Sequence, residues 1–316
     1  MQKYIARRLL LTVPILVMVA VITFTLLRLV PGDVLMAQIG EGGNYSPERM
    51  EAMRKSMGLD DPLPVQLGRW CAGIARGDFG RSLLTSQPTL DAFVRASRVT
   101  IELGVLSILI GLLIAIPLGV ASAARQDTPI DWLARVIATV GVSAPDFWIG
   151  TTFIVFAGLW WHYSAPFGYI SPFEDPLGNL KQIAVPALIL GFRQSAVTMR
   201  LVRATMLEVL RQDYVRTAHA KGLNGGRVML GHALRNALIP VVTVVGAQIG
   251  FLLGGTVIVE SLFNLPGVGQ LTFNAIQQRD YAQVQTNMLL LGTAVVLANL
   301  LTDLSYGFLD PRIRYS

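Results

Sequence analysis

Residues 99–124 read VTIELGVLSILIGLLIAIPLGVASAA, an apolar run interrupted by one charged side chain, that of Glu102. A helix that crosses the hydrocarbon core of a bilayer needs about 20 mostly apolar residues, so this stretch predicts a transmembrane helix. Gly104, Gly111 and Gly119 agree with that prediction, because small residues let neighbouring helices in lipid approach closely. The stretch therefore favours an integral membrane protein over a soluble fold.

Similar apolar windows recur along the whole chain. They are Leu9–Val30, Leu133–Trp161, Ile183–Val202, Ala237–Val259 and Val284–Phe308. Charged residues make up 15% of the 316 residues, against about 25% in a typical soluble domain. We therefore predict an all-α, polytopic membrane protein with six transmembrane helices.

The distribution of Lys and Arg predicts the orientation of these helices. Short cytoplasmic loops carry an excess of both residue types. With the N-terminus in the cytoplasm, the basic leader, Arg125, Arg135 and the arginines of residues 211–235 all lie inside, whereas the two short outer loops contribute only Lys181 and Arg279. The net charge of +6 thus follows the membrane topology and does not indicate a nucleic-acid partner. The predicted topology is N-in and C-in.

The spans divide the chain into three parts. Residues 1–30 form a cytoplasmic N-terminus and a first transmembrane helix, which we interpret as a retained anchor because no small-residue cleavage site follows it. Residues 31–98 form an insertion on the outer side, with a helix expected from Ser46 to Gly58. Residues 99–316 form a five-helix core that includes a basic cytoplasmic segment, residues 204–236.

The cytoplasmic segment has the most specific sequence pattern. Residues 213–222 read DYVRTAHAKG, and residues 232–240 read HALRNALIP. Glycines at 222, 225 and 226 break the segment into two short helices with a turn between them. Small residues that alternate along a short helix before a glycine suit a helix that lies in a groove of another protein, and a solvated loop needs no such spacing.

These two stretches resemble the coupling-helix motif in permease subunits of ATP-binding-cassette importers of the dipeptide, oligopeptide and nickel group. The similarity extends over most of the chain. It includes residues 29–33 (LVPGD), 57–60 (MGLD), 77–80 (GDFG), 141–145 (GVSAP), 263–269 (FNLPGVG), 279–281 (RDY) and 309–315 (LDPRIRY). The broader importer motif begins Glu-Ala-Ala, where this chain has Arg216-Thr217-Ala218, as the peptide-type subgroup does.

The resemblance implies a type I importer permease with defined partners. The residues expected to contact the ATPase are Asp213, Tyr214, Arg216, Thr217, Ala218, Lys221 and Gly222. The expected partners are a second homologous permease, two ATP-binding-cassette ATPases, a periplasmic or lipid-anchored solute-binding protein, and the lipid bilayer of the bacterial inner membrane. The expected cargo is a small polar solute, by default a di- or oligopeptide, with nickel chelates, glutathione and sugars as alternatives.

The chain itself is predicted not to be an enzyme. It lacks the G-x-x-x-x-G-K-[ST] loop that cradles phosphates, so ATP and Mg²⁺ belong on partner subunits. Gly141-x-Ser143 lacks the second glycine of a nucleophile elbow, and no span contains a histidine to act as its base. We therefore predict no catalytic, cofactor-binding or metal-binding residue. An ion-coupled secondary transporter is the main alternative, followed by a membrane hydrolase and a scaffold without transport activity.

Charged side chains inside spans need a partner or a water-filled path, because a charge in lipid is costly. Arg193 lies near the middle of the fourth span, Asp303 in the last span and Glu102 near the start of the second. Arg193 is expected either to pair with Asp303 or Glu102, or to line the transport path and meet a carboxylate of the solute.

Overall fold

A computed structural model describes residues 2–29, 51, 55, 58, 60–82, 84–165 and 168–309. Of the helix predicted from Ser46 to Gly58, only Glu51, Lys55 and Gly58 are described, the first two as helical, and residues 30–33 and 310–315 of the terminal motifs lie outside the described residues. The helices, in chain order, are α1 (Gln2–Leu29), α2 (Leu63–Ala75), α3 (Thr89–Ala124), α4 (Pro129–Ser143), α5 (Asp146–Trp161), α6 (Pro176–Leu210), α7 (Asp213–Ala220), α8 (Gly225–Arg227), a π-helical turn (Val228–Ala233), α9 (Leu234–Ala237), α10 (Ile239–Gly255), α11 (Val257–Leu262), α12 (Val268–Gln277) and α13 (Tyr281–Leu309). Within the described part of the chain, β-structure is limited to one isolated bridge between Arg81 and Pro88.

Three of the described helices are each long and apolar enough to cross a membrane: α1, α3 and α13. Two bent helix pairs raise that number to five if each pair is counted as one span. They are α4 with α5, bent by 96°, and Gly225–Ala237 with Ile239–Gly250, bent by 48°. The remaining predicted window, Ile183–Val202, lies inside α6, which has 35 residues and carries Arg193 and Gln194 near its middle. The all-α, polytopic architecture is thus confirmed.

The predicted span Leu133–Trp161 is not one continuous helix. It breaks between α4 and α5, where Ala144 is extended (ψ 123°) ahead of Pro145. A proline disfavours helical backbone for the residue before it, which accounts for the end of α4 at Ser143. The 96° bend directs α5 away from the path of α4.

Helices α3 and α6 form the centre of the bundle and run parallel. A Cβ on Gly111 would lie 3.2 Å from the carbonyl oxygen of Gly191, and one on Gly119 would lie 2.8 Å from Val202. This order of contacts shows that both helices run in the same direction, as the predicted topology requires. The two glycines confirm that small residues set the separation of these helices.

The other long helices surround this pair. Gly141 of α4 faces Ala196 of α6, and Gly246 of α10 faces Thr302 of α13. The main hydrophobic core joins α3, α5, α6 and α11 through a cluster that includes Leu103, Ile183 and Phe263. We call the end of the bundle where α6 leads into α7 the coupling end, and the end where α3 and α6 begin the opposite end.

Candidate coupling surface and polar sites of the bundle

The short helix α7 is held against the coupling end by two buried side chains. Val215 and Ala218 are 2% and 8% exposed and pack on Val228 of the π-helical turn. Val209 and Leu210, at the end of α6, complete the same cluster. Since one cluster contains residues of α7 and of α6, a force on α7 acts directly on α6.

The end of α7 has the hydrogen-bond pattern of a Schellman motif. The amide of Gly222 donates to the carbonyl of His219 at 2.9 Å, and that of Leu223 donates to the carbonyl of Ala218 at 3.3 Å. Gly222 has a φ of +79°, which a glycine adopts without strain. No atom lies within 4 Å of a Cβ built on Gly222, so backbone conformation and not close packing within the chain requires this glycine.

The remaining predicted coupling residues form an exposed face. Asp213, Tyr214, Arg216, Thr217 and Lys221 are all exposed. Asp213 and Arg216 form a loose ion pair at 3.7 Å, and the Tyr214 hydroxyl accepts a hydrogen bond from the Asn236 side chain at 2.9 Å. Ala218, in contrast, is directed into the chain's own cluster. The structure therefore separates the predicted set into an exposed face and two residues that shape the helix.

Arg193 has a different partner from the two that the sequence suggested. Its guanidinium donates to Asp146 at 2.9 Å. Asp303 instead pairs with Arg8 of α1 at 2.6 Å, and Glu102 accepts a hydrogen bond from the Tyr169 hydroxyl. The predicted pairs of Arg193 with Asp303 and with Glu102 are thus wrong. The reason is the break after Ser143, which places Asp146 in the first turn of a new helix beside α6.

The Glu102–Tyr169 contact lies at the opposite end of the bundle. Two side chains of α6 hold the loop around Tyr169: Asn179 donates to the carbonyl of Ile170 at 2.9 Å, and Gln182 accepts from the amide of Ile170 at 3.1 Å. Burial raises the pKa of the Tyr169 phenol, and the hydrogen bond to Glu102 raises it further. Tyr169 therefore remains a protonated donor at neutral pH.

A buried carboxylate that the sequence analysis did not single out joins three helices at the coupling end. Asp131 of α4 is fully buried and accepts hydrogen bonds from Arg203 of α6 at 2.7 and 2.8 Å. Ser122 of α3 donates to the same carboxylate at 2.6 Å, and the amide of Asp127 donates at 3.0 Å. The helix dipole favours an acidic residue in the first turn of any helix. Asp131 in that position therefore gave no sequence signal that it joins three helices.

A second buried carboxylate, Glu260 of α11, lies near the opposite end. It is fully buried and accepts hydrogen bonds from the hydroxyls of Thr100 and Thr256, both at 2.8 Å. The amide of Gln270 donates to it at 3.0 Å, which fixes the first turn of α12. A Cβ on Gly267 would collide with this carboxylate, so the first glycine of the FNLPGVG motif is required to leave room for Glu260.

Among the described residues, no group of three or more His, Cys, Asp or Glu side chains is arranged to hold a metal ion. The polar sites of this part of the chain are therefore ion pairs and hydrogen-bond networks that connect helices. These networks lie near both ends of the bundle, and the exposed face of α7 lies at the coupling end.

Comparison with protein families gives matches over nearly the whole chain. Residues 115–315 match the family described as binding-protein-dependent transport system inner membrane component, and residues 1–103 match the N-terminal region of such components. The chain is 38% identical over 338 aligned residues to the dipeptide transport system permease protein DppB of Escherichia coli K12, covering 100% of this chain and 99% of that protein. It is 40% identical over 317 residues to a protein named as a peptide transport system permease in Brucella abortus, covering 100% of both chains.

A solved structure supports the fold independently. The chain aligns with the crystal structure of an amino acid ABC transporter with histidines at a TM-score of 0.53 and 14% identity, covering 69% of this chain and 94% of that one. At this identity the likeness concerns the fold alone, and it agrees with the type I importer permease architecture expected from the sequence. With family matches and full-length relatives in agreement, the chain belongs to the family of inner membrane components of binding-protein-dependent transport systems.

Proposed function

We propose that this chain is a permease subunit of an ATP-driven importer that carries di- or oligopeptides into the cell. The names of the full-length relatives support a peptide cargo. The observation that carries the proposal is α7, a short helix with an exposed charged face and a buried face fixed to the end of α6.

The proposed complex contains a second homologous permease, two ATPase subunits and a solute-binding protein that is periplasmic or lipid-anchored. It lies in the bacterial inner membrane, and this chain passes through the bilayer several times. ATP and Mg²⁺ bind to the ATPase subunits, since the sequence of this chain contains no phosphate-binding loop. ATP hydrolysis thus takes place on the partner chains.

The contacts within the chain suggest how a movement at α7 reaches the helices. Val215 and Ala218 fix α7 to the end of α6, and Asp131 fixes α6 to α4 through Arg203. The close approach at Gly111 and Gly119 fixes α6 to α3. Closure of the ATPases then tilts α3, α4 and α6 together, and nucleotide and binding protein each favour one of the two states by their differential contacts.

The structure identifies which substitutions test the coupling role without disturbing the fold of α7. Bulky residues at Ala218 or Gly222 would disrupt the chain's own packing or its left-handed backbone, so they do not isolate the contact with the ATPase. Ala220 and Arg216 are exposed on α7. Ala220→Trp and Arg216→Glu change the exposed face alone.

The experiment measures ATP hydrolysis and dipeptide uptake on the same vesicles containing the complete complex. We expect both variants to assemble and to lose at least tenfold in uptake per ATP hydrolysed. Arg125→Glu, on an exposed turn after α3, is the control and is expected to behave as wild type. Wild-type uptake by Ala220→Trp and Arg216→Glu would refute the coupling role of α7, and uptake that follows an ion gradient without ATP would refute an ATP-driven importer.

A further inference from the structure

A cavity of about 440 Å³ opens at the opposite end of the bundle, between the beginning of α3, the loop that contains Tyr169, and α12. This volume is within the range of about 300–1,000 Å³ that is usual for sites of small molecules. Its walls include four polar side chains and two larger apolar ones: Arg95, Tyr169, Gln270, Asn274, Val99 and Leu271.

Of the described residues that line the cavity, Arg95 alone is charged. Its guanidinium donates one hydrogen bond to the side chain of Gln87 at 2.9 Å, which orients the group. A guanidinium has five N–H donors in a planar fork, so others remain for a ligand, and a carboxylate matches that fork with two oxygens. This wall therefore favours a solute with a carboxylate.

The wall formed by Tyr169 has the opposite electrostatic character. The Tyr169 hydroxyl donates to Glu102, so a half-buried carboxylate lies directly behind this wall. A positive group of the solute is attracted to this side, whereas a carboxylate is repelled. The cavity is thus polarised, with a cation at one wall and an anion behind another.

The remaining polar groups suit the backbone of a peptide. Gln270 and Asn274 each offer a carboxamide, which can donate to a peptide carbonyl and accept from a peptide N–H. Val99 and Leu271 are apolar and make no demand on hydrogen bonding, so they accept side chains of varied sequence. The backbone of Gln270 is held in place, because its amide donates a hydrogen bond to Glu260 at 3.0 Å.

We infer that this cavity is a transient site for the solute on the permease, and that it takes a short peptide with a free C-terminal carboxylate at Arg95 and its N-terminal ammonium toward Tyr169 and Glu102. This inference rests on the proposed peptide import and gives it a specific place. Such a site selects for the two ends of a short peptide and hardly for its side chains.

A labelling experiment tests the site without relying on transport. The chain has a single cysteine, Cys71, so Cys71→Ser provides a background into which Ala92→Cys is introduced, at a position that lines the cavity and carries no polar group. The complete complex is treated with a membrane-impermeant maleimide from the outer side, without ATP, and labelling is read on the separated permease band. The probes are L-alanyl-L-alanine and its C-terminal amide.

We expect the dipeptide to slow labelling at Ala92→Cys by at least fivefold and the amide to have no effect. Arg95→Gln in the same background should abolish this protection, whereas Arg98→Gln, exposed one turn further along α3, should retain it. Labelling at Gln277→Cys, exposed at the end of α12 and outside the cavity, should not respond to either probe. Labelling at Ala92→Cys that the dipeptide leaves unchanged, or protection that survives Arg95→Gln, would overturn the inference.

Uptake measurements distinguish a failure of this site from a failure of the proposed function. In the permease that retains Cys71, Arg95→Gln is expected to lower dipeptide uptake at least tenfold relative to Arg98→Gln at equal assembly. ATP-driven dipeptide uptake that Arg95→Gln leaves at the wild-type level would refute the site and leave peptide import intact. A wild-type complex that imports no peptide with ATP would refute the proposed function itself.

Discussion

The carboxylate of Asp131 accepts two hydrogen bonds from the guanidinium of Arg203, at 2.7 and 2.8 Å, and so connects the first turn of α4 to α6 about two turns before α6 ends at Leu210. Ser122 of α3 donates to the same carboxylate at 2.6 Å. A single side chain thus fixes three helices near the coupling end of the bundle, to which α7 is packed.

Asp131→Asn should destabilise the bundle, because the fully buried acceptor of Arg203 loses its charge. A hydrogen bond to a charged group contributes about 1.5–3 kcal/mol, so a loss of that size is expected. The midpoint of thermal unfolding of the purified complex measures it. Asp127→Asn, exposed one turn earlier, is the matched control, and an equal effect of both substitutions would contradict the prediction.

Arg193 and Asp146 should behave as a structural pair. Arg193→Met leaves the carboxylate of Asp146, 12% exposed, without this cation, so we expect less assembled complex. Replacing both members of a buried ion pair by apolar residues is often neutral. The double variant Arg193→Met/Asp146→Leu should therefore recover assembly and uptake together. A double variant that assembles fully but transports nothing would instead place Arg193 in the transport path.

Gly119→Ala should force α3 and α6 apart. The new Cβ would lie 2.8 Å from Val202 and 3.0 Å from the carbonyl oxygen of Met199, and neither a β-branched side chain nor a backbone atom can yield easily. Overpacking of this kind costs about 1–3 kcal/mol. Thermal unfolding again provides the measurement. Gly254→Ala meets no atom within 4 Å and should leave stability unchanged, so similar losses from both would argue against a packing role of Gly119.

Ser82→Ala should loosen the outer segment that precedes α3. Ser82 is 3% exposed and its hydroxyl donates to Asp280 at 2.5 Å, which holds residues 78–88 against the beginning of α13. We expect faster amide hydrogen exchange in residues 78–88 by mass spectrometry. Ser97→Ala is the control, since the Ser97 hydroxyl bonds only within its own helix, to the carbonyl of Val94. Unchanged exchange in Ser82→Ala would show that the segment is held by other contacts.

The sequence predicted the helical architecture and the short helix within residues 213–222 well, because both depend on local signals. Long apolar runs must form helices in lipid. Gly222 predicted the end of the short helix, and α7 ends just before it, at Ala220. The break after Ser143 also has a local signal, Pro145 followed by Asp146, but the apolar composition on both sides masked it. A composition window measures hydropathy and does not detect a change of direction.

The partners of the buried charges could not be predicted in the same way. Arg193 meets Asp146 only because α5 leaves α4 at 96°, a tertiary property. Glu260 directly follows the predicted window Ala237–Val259, and its partners Thr100 and Gln270 come from two other helices. Such networks depend on how helices pack, for which a single sequence gives no register between distant segments.

The bend between α4 and α5 also affects the lipid around the protein. At about 1.5 Å per residue, helices of 15 and 16 residues extend only about 22–24 Å, less than the hydrocarbon core of about 30 Å. Since the two helices are nearly perpendicular, their lengths do not add across the bilayer. Neither helix alone spans the hydrocarbon core, and Asp146 lies where the two meet, so headgroups and water that reach inward there would lower the desolvation penalty of the Arg193–Asp146 charges. We therefore expect the bilayer to be thinned locally where the protein keeps its Arg193–Asp146 ion pair.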